Sequence, residues 1–200
     1  MTERPIIFNG DMVRAILRGE KTQTRRPVKP QPDRAPASVS PLQMFDDARW
    51  RSWKCPFGEP GDRLWVRETF ALGEPPYFGV AYRADEGDNP EDVGGERQKW
   101  TPSIHMPRYL SRITLEITDI NAERVQDITE DDARAEGGKP EFRTVVARSD
   151  GGPDYHIPCS YRGGFANTWD AIYAKRPGLS WDENPWIWAI TFSVETSHEN

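Results

Sequence analysis

The sequence has little of what marks secreted, membrane or disulfide-stabilised proteins. It holds only two cysteines, Cys55 and Cys159, in 200 residues, and a chain of this size can bury a core without a disulfide. No stretch approaches the roughly 18 consecutive apolar residues of a membrane-spanning helix. The opening residues MTERPIIF do not resemble a signal peptide. These absences predict a cytoplasmic protein with free thiols and no membrane partner.

Apolar residues are also scarce, at 36% of the chain, which is below the usual share for globular proteins. The eight Trp, eight Phe and six Tyr fall mostly inside patterned segments. The sequence therefore predicts one compact domain that carries polar loops rich in Pro and Gly. No oligomeric state is predicted.

Positive charge is in short supply overall, because the formal net charge is −6. This balance excludes a generic binder of polyanions. Residues 1–34 nevertheless hold eight Lys and Arg against four Asp and Glu, a net +4 that leaves −10 for the remainder. A basic patch on an acidic protein suits a small anionic or nucleotide-like ligand better than long duplex DNA.

Hydrophobic periodicity divides the chain into short strands and a few helices. Strands are predicted over 4–8, 64–70, 77–85, 111–128 and 185–195. Helices are predicted after Asn9 and after Thr129, which can cap them, and over 165–175. Gly19 and Gly137 are the expected helix stops. Because strands and helices do not alternate regularly, the pattern favours an α+β fold, mostly β, built as a small β-barrel with flanking short helices and long loop insertions.

Apolar spacing also predicts which side chains form the core. The first helix should bury Met12, Val13, Ile16 and Leu17. The last helix should direct Phe165, Trp169, Ile172 and Tyr173 inward, against a face of the last strand formed by Trp186, Trp188 and Ile190. The insertions near 30–60, 86–100 and 139–162 contain the segments expected to be least ordered, 33–48, 86–99 and 139–160.

Four segments together resemble the ASCH-domain family, a branch of the PUA-like β-barrels, and in particular its longer phage- and prophage-associated members. The segments are IIFNGDMVRAILRGEKTQTRR, CPFGEPGDRLWVRETF, SIHMPRYLSRITLEITDINAERVQDITEDDARAEG and WDAIYAKRPGLSWDENPWIWAITF. They cover well over half the chain in the expected order. The resemblance implies a single PUA-like domain over residues 1–200 that binds RNA or a modified nucleoside.

The same resemblance implies a site. Some small ASCH proteins hydrolyse the amide of acetylated cytidine with Lys, Thr and Glu, and others are reported as ribonucleases. Carried over by motif, these catalytic residues are Lys21, Thr24 and Glu136. Arg25 and Arg26 would make the pocket electropositive and contact the substrate. No cofactor is implied.

The chemistry of these residue types leaves the role of Lys21 open. A Thr hydroxyl needs an adjacent base before it can attack a carbonyl. Lys21 could be that base if burial lowered its pKa, or it could remain a cation that stabilises an oxyanion. Residues 21 and 24 would face opposite sides of a straight strand, so a shared site requires a turn between them. We expect an open cleft, in which Lys21 contributes little to folding.

Glu136 breaks a local rule, because an acid in the last turn of a helix opposes the macrodipole. Such a residue is a candidate for function, although Glu is also simply a good helix former.

The segment SIHMPR adds His105 and Arg108, which could form a cleft wall or bind a phosphate, or could be structural. A zinc site built from Cys55, His105, His156 and Cys159 is not favoured, because the sequence has no CxxC pair.

Three functions remain open at this point. The first is binding of RNA or a modified nucleoside, with hydrolysis of an amide on the base. The second is a non-catalytic RNA-binding module, in which Lys21, Arg25 and Arg26 contact phosphates; the family resemblance adds a ribonuclease as an alternative to it. The third is a phage accessory protein that acts through protein contacts on its long loops.

Overall fold

A computed structural model describes residues 1–32, 54–73, 79–86, 99–145 and 155–195. Contacts divide the chain into two compact units. The first unit comprises Met1–Gly19, Trp53–Ile120 and Thr191–Asn200, and the second comprises Glu20–Ser52 and Asn121–Ile190.

The described residues form nine strands and four α-helices. The strands are β1 (Glu3–Ile7), β2 (Gln23–Pro27), β3 (Arg63–Arg67), β4 (Phe70–Leu72), β5 (Val80–Tyr82), β6 (Thr114–Arg124), β7 (Glu141–Val145), β8 (Tyr155–Ser160) and β9 (Trp186–Val194). The helices are α1 (Gly10–Leu17), α2 (Arg83–Glu86), α3 (Glu130–Ala135) and α4 (Tyr161–Tyr173). Short 3-10 helices span Ser103–His105, Arg108–Leu110 and Val125–Asp127.

Hydrogen bonds organise these strands into three sheets. Five strands lie in the order β1-β3-β6-β9-β2, and β4-β5 and β7-β8 form two-stranded sheets. The chain is thus α+β, with more strand than helix, as the sequence predicts. None of the sheets in the described ranges closes into a barrel, so the barrel stays a prediction. No helix among the described residues is long and apolar enough to cross a membrane.

The first unit is built on a parallel pair, β1 and β3, that continues into β6. Ile6 of β1 lies opposite Val66 of β3, and Leu64 of β3 lies opposite Leu115 of β6. All four side chains are buried, as the period-2 alternation of apolar residues requires. The alternation that includes Leu64 and Val66 is the pattern that predicts the strand over 64–70.

Helix α1 begins and ends where its sequence indicates. The Asn9 side chain accepts a hydrogen bond from the Met12 N–H, and Gly19 adopts a φ of 71°, the left-handed conformation that glycine adopts without strain. Val13 and Ile16 are buried, but Leu17 is 50% exposed, contrary to prediction. Ala15 is buried instead, so the packed face of the helix is rotated toward Ala15 from the predicted stripe.

Three predicted strands are shorter than expected. The strand predicted over 64–70 is interrupted at 68–69 and becomes β3 and β4. Residues 83–86, predicted as strand in part, form α2, which is joined to α1 by a 2.7 Å hydrogen bond from the Arg14 guanidinium to the Ala84 carbonyl. The strand predicted over 111–128 gives way to a 3-10 turn at Val125–Asp127. Local β propensity is overridden in each case by contacts from elsewhere in the chain.

In the second unit, α3 has the predicted capping box. The Thr129 hydroxyl accepts from the Asp132 N–H while the Asp132 carboxylate accepts from the Thr129 N–H. Gly137, with a φ of 71°, follows the helix as its stop. The described parts of the third insertion, 139–145 and 155–162, are more regular than predicted, since β7 and β8 pair there. Helix α4 begins at Tyr161, earlier than the predicted 165, because Ser160 caps it through the Gly163 N–H.

The core of the second unit lies between α4 and β9. Phe165, Trp169 and Tyr173 are buried there, but Ile172 is 41% exposed, so its predicted inward position is wrong. The strand residues in this cluster are Ile187 and Ala189 rather than the predicted face of Trp186, Trp188 and Ile190. Both faces of β9 carry buried side chains, so apolar alternation could not identify the face that meets the helix.

Most of the segments predicted to be least ordered lie outside the described residues. These are 33–48, nearly all of 86–99, and 146–154 from the third segment.

Candidate functional site

The backbone around Lys21 pairs with the C-terminal end of α3. Lys21 forms an antiparallel bridge with Glu136, and the Thr22 N–H donates to the Ala135 carbonyl over 2.8 Å. The chain leaving Gly19 therefore runs beside the C-terminal end of α3 before β2 begins at Gln23. This pairing brings together two residues that are 115 positions apart.

The Lys21 ammonium donates three hydrogen bonds. Its Nζ lies 2.7 Å from the Gln23 carbonyl, 2.8 Å from the Glu136 carbonyl and 2.7 Å from Glu136 Oε2. A protonated amine has three N–H groups, and all three acceptors are oxygens. The arrangement therefore fits the charged ammonium.

Lys21 does not lie in an open cleft. Its exposed fraction is 1%, so the expected exposure is wrong. The expectation that Lys21 contributes little to folding rested on that exposure and loses its basis. Burial lowers the pKa of Lys21 below its ordinary value, and the Glu136 carboxylate opposes this effect. Removing the partner of such a buried charge is far more costly than breaking a surface pair.

Glu136 is held by two cations, one at each carboxylate oxygen. Oε2 accepts from Lys21, and Oε1 lies 3.3 Å from Arg25 NH1. The residue is the C-cap of α3, where its charge opposes the helix dipole. These two tertiary contacts compensate for the local conflict that made Glu136 stand out in the sequence.

Arg25, which contacts Glu136, is also buried. Its side chain is 2% exposed, and its Nε donates to Glu123 Oε1 over 3.0 Å. NH1 donates to Gln23 Oε1 over 3.1 Å, and NH2 lies 3.6 Å from Asp132 Oδ2. Burial raises the pKa of Glu123, an effect that Arg25 opposes. The cluster thus combines two cations with three carboxylates.

The Thr24 side chain lies on the opposite face of β2 from Arg25. Gln23 and Arg25, its neighbours on β2, hydrogen-bond to each other on one face of the strand. Successive strand side chains alternate between faces, so the buried Thr24 side chain points to the opposite face. Arg26 shares that face and is half-buried. Lys21 and Glu136 are in contact, and Thr24 is directed away from Arg25.

His105 and Arg108 belong to the first unit. Both are exposed, and they lie on the two 3-10 helices of that segment. Arg108 makes a bidentate pair with Glu3, with Nε and NH2 at 2.9 and 3.0 Å from its oxygens. Arg108 also lines a groove of about 680 Å³ together with Arg63, Arg112 and Glu195. Arg63 Nε lies 2.6 Å from Glu195 Oε1.

Sequence reasoning missed a second buried carboxylate, Glu68. It is 2% exposed and makes a bidentate pair with Arg112 at 2.8 and 3.1 Å. Arg112 also binds Asp85 and lies 4.0 Å from the Tyr82 ring centroid. Burial raises the pKa of Glu68. The signal was available, because Glu68 shares the inward register of Leu64 and Val66.

The cysteines are both free thiols, with Cys55 buried and Cys159 exposed. Burial raises the pKa of the Cys55 thiol. Within the described ranges, no group of three or more His, Cys, Asp or Glu is arranged to hold a metal ion. Among those residues, the groups around Lys21 that could bind a metal are carboxylates, and these carboxylates already pair with Lys21 or Arg25.

Comparison of the chain with protein-family models, with curated proteins and with solved structures finds no match.

Proposed function

We propose that this protein is a cytoplasmic, ASCH-type amidohydrolase that acts on an acylated nucleobase such as acetylated cytidine, and that its complete fold is a PUA-like barrel. The observation that carries the proposal is the buried Lys21–Glu136 pair. Its ammonium and carboxylate are 2.7 Å apart, and the Lys21 pKa is lowered by burial. A buried lysine whose pKa is lowered and that contacts a carboxylate is typical of catalytic sites.

The two groups can share the work of amide hydrolysis. Glu136 accepts a proton from the attacking water, whose oxygen bonds to the carbonyl carbon. Protonation of Glu136 weakens its hold on Lys21, and the released N–H then stabilises the oxyanion that forms. The carbon–nitrogen bond breaks as Glu136 returns its proton to the leaving nitrogen. The products are a carboxylic acid and the free amino base.

Water is a better nucleophile here than Thr24. The resemblance gives that role to the Thr24 hydroxyl, but alternation along β2 directs the side chain away from Arg25 and its carboxylate partners. An activated hydroxyl needs a base within hydrogen-bonding reach. If water attacks, Thr24→Val retains turnover. If the hydroxyl attacks, Thr24→Ser retains part of the turnover and Thr24→Val loses it.

The non-catalytic RNA-binding alternative has less support. Arg25 is buried among carboxylates, and Arg108 is engaged by Glu3, so neither guanidinium is presented to a phosphate. Binding of RNA that weakens steeply with salt, without turnover of acetylated nucleosides, would favour this alternative.

The direct test is to incubate the protein with acetylated cytidine and to measure cytidine and acetate by chromatography. Glu136→Gln should lower kcat by about 100-fold or more, because it removes the general base. Lys21→Met should have an effect of the same order. Lys175→Met, which removes an exposed lysine at the end of α4, is the matched control and should leave kcat unchanged. Absence of turnover by the unaltered protein, or full turnover by Glu136→Gln, contradicts the proposal.

A further inference from the structure

We infer that Arg25 is a positioning residue, which holds the Glu136 carboxylate so that Oε2 faces the Lys21 ammonium. The inference rests on the proposed function for its catalytic consequence, but its geometric content stands by itself. It gives Arg25 a role different from the substrate contact that the sequence suggested.

The contacts of Arg25 define this role. A single guanidinium reaches Glu136 Oε1 at 3.3 Å and Asp132 Oδ2 at 3.6 Å. These two carboxylates are four residues apart, so they lie on the same face of α3 one turn from each other. Arg25 therefore clamps the helix along the face that carries Glu136.

The guanidinium is itself anchored from the opposite side. Glu123, at the end of β6, accepts from Nε over 3.0 Å and lies 2.9 Å from NH2. Gln23 accepts from NH1 and donates to Asp132 Oδ1 over 3.1 Å, which links the anchor to the helix. The Phe165 ring centroid lies 5.9 Å from the Arg25 Cζ. Every guanidinium nitrogen thus contacts a protein oxygen, and the side chain is fixed in position.

A planar guanidinium is needed for this arrangement. It presents five N–H groups in a rigid fork, whereas a lysine ammonium in the same place offers a point charge on a flexible stem. With Oε1 held by Arg25, the carboxylate cannot rotate freely, and Oε2 stays on Lys21. Small displacements of a catalytic group have large consequences, since an error of about 1 Å can reduce the rate about 100-fold.

The direction in which the Lys21 pKa shifts when Arg25 is replaced distinguishes positioning of Glu136 from charge repulsion between Arg25 and Lys21. This measurement does not depend on the protein having catalytic activity. As a nearby cation, Arg25 lowers the Lys21 pKa, so loss of that charge alone would raise it. If Arg25 instead holds Glu136 in place, its loss lets the carboxylate turn away, and the Lys21 pKa falls further. The two mechanisms predict shifts of opposite sign.

The experiment titrates Lys21 by NMR of the lysine Cε and Nζ nuclei in the unaltered protein and in Arg25→Gln and Arg25→Lys. We expect the Lys21 pKa to fall in both variants. Arg25→Lys retains the positive charge but loses the planar arrangement of N–H donors. A pKa that rises in Arg25→Gln, or that does not change in Arg25→Lys, overturns the inference. Should Arg25→Gln not fold, Gln23→Met removes a neutral anchor of the guanidinium without changing any charge and should lower the Lys21 pKa in the same direction; an unchanged pKa there would also overturn it.

Turnover of acetylated cytidine supplies the second measurement. Arg25→Lys should lower kcat about 100-fold while changing KM by less than about threefold, because Arg25 does not touch substrate. Arg112→Lys is the matched control, since it removes another bidentate arginine, a partly exposed one that pairs with the buried Glu68 in the first unit, and should leave kcat intact. If the Lys21 pKa falls in the Arg25 variants but the unaltered protein shows no turnover, the positioning role is upheld and the proposed function is refuted. Normal kcat in Arg25→Lys, beside an active unaltered protein, would refute the positioning role alone.

Discussion

Replacing Lys21 with Met should destabilise the protein far more than a surface lysine substitution. Met preserves most of the side-chain volume, so the change removes charge and hydrogen bonds without opening a large cavity. Three acceptors lose their donor: the buried Glu136 Oε2 and Glu136 carbonyl, and the part-buried Gln23 carbonyl. Breaking a buried ion pair by removing one partner typically costs about 3–5 kcal/mol.

Arg25 limits the loss, because it still contacts Glu136 Oε1. We therefore expect a decrease in the free energy of unfolding of about 3 kcal/mol, near the lower end of that range. For a chain of this size, such a loss corresponds to a fall in Tm of roughly 6–12 °C. Lys175→Met should change the free energy of unfolding by no more than about 0.5 kcal/mol.

The assay is urea unfolding at pH 7, followed by circular dichroism and by Trp fluorescence. A double-mutant cycle with Glu136→Leu isolates the pair itself. The double variant should be more stable than the sum of the single losses predicts, by about 1–3 kcal/mol, because a buried pair replaced as a whole leaves no unpaired charge. A Lys21→Met variant within 1 kcal/mol of the unaltered protein, or an absent coupling energy, would refute the buried ion pair as a source of stability.

Three further predictions concern the folded units. Trp169→Ala should lower the free energy of unfolding by about 3–5 kcal/mol, because Trp169 is buried and donates to the Leu179 carbonyl; Ile172→Ala, at an exposed position, should cost less than 1 kcal/mol, and equal losses in urea unfolding would contradict this. Gly164→Ala should destabilise α4 although Ala favours helices, because its Cβ would overlap the backbone carbonyl of residue 139; a higher Tm would refute the close approach. Because the Glu68 pKa is raised in the folded state, its ionisation favours unfolding, so the stability of the unaltered protein relative to Glu68→Gln should fall as pH rises above about 4.5; a constant difference across urea titrations at several pH values would show that Glu68 titrates normally.

Local sequence determined the elements whose signals lie within a few residues. Asn9 and Gly19 bound α1, and the Thr129–Asp132 box begins α3, because caps depend on hydrogen bonds between near neighbours. Alternation likewise indicated β3, since one buried face imposes a period of two. A short apolar run indicated β1, and β-branched residues indicated β6. Glu136 also stood out from local rules alone, although its catalytic role stays a prediction.

Burial and long-range contact were decided by the tertiary structure. The sequence placed Lys21 and Arg25 in an open, electropositive cleft, and nothing local shows that α3, more than 100 residues later, covers them. The position of Glu68 in the alternation with Leu64 and Val66 indicates that its side chain is buried. Its partner Arg112 lies 44 positions away, so the pairing itself could not be read from local sequence. An ion pair in water and one inside a protein have the same residue types and very different energies, because the difference lies in the solvent that the rest of the chain removes.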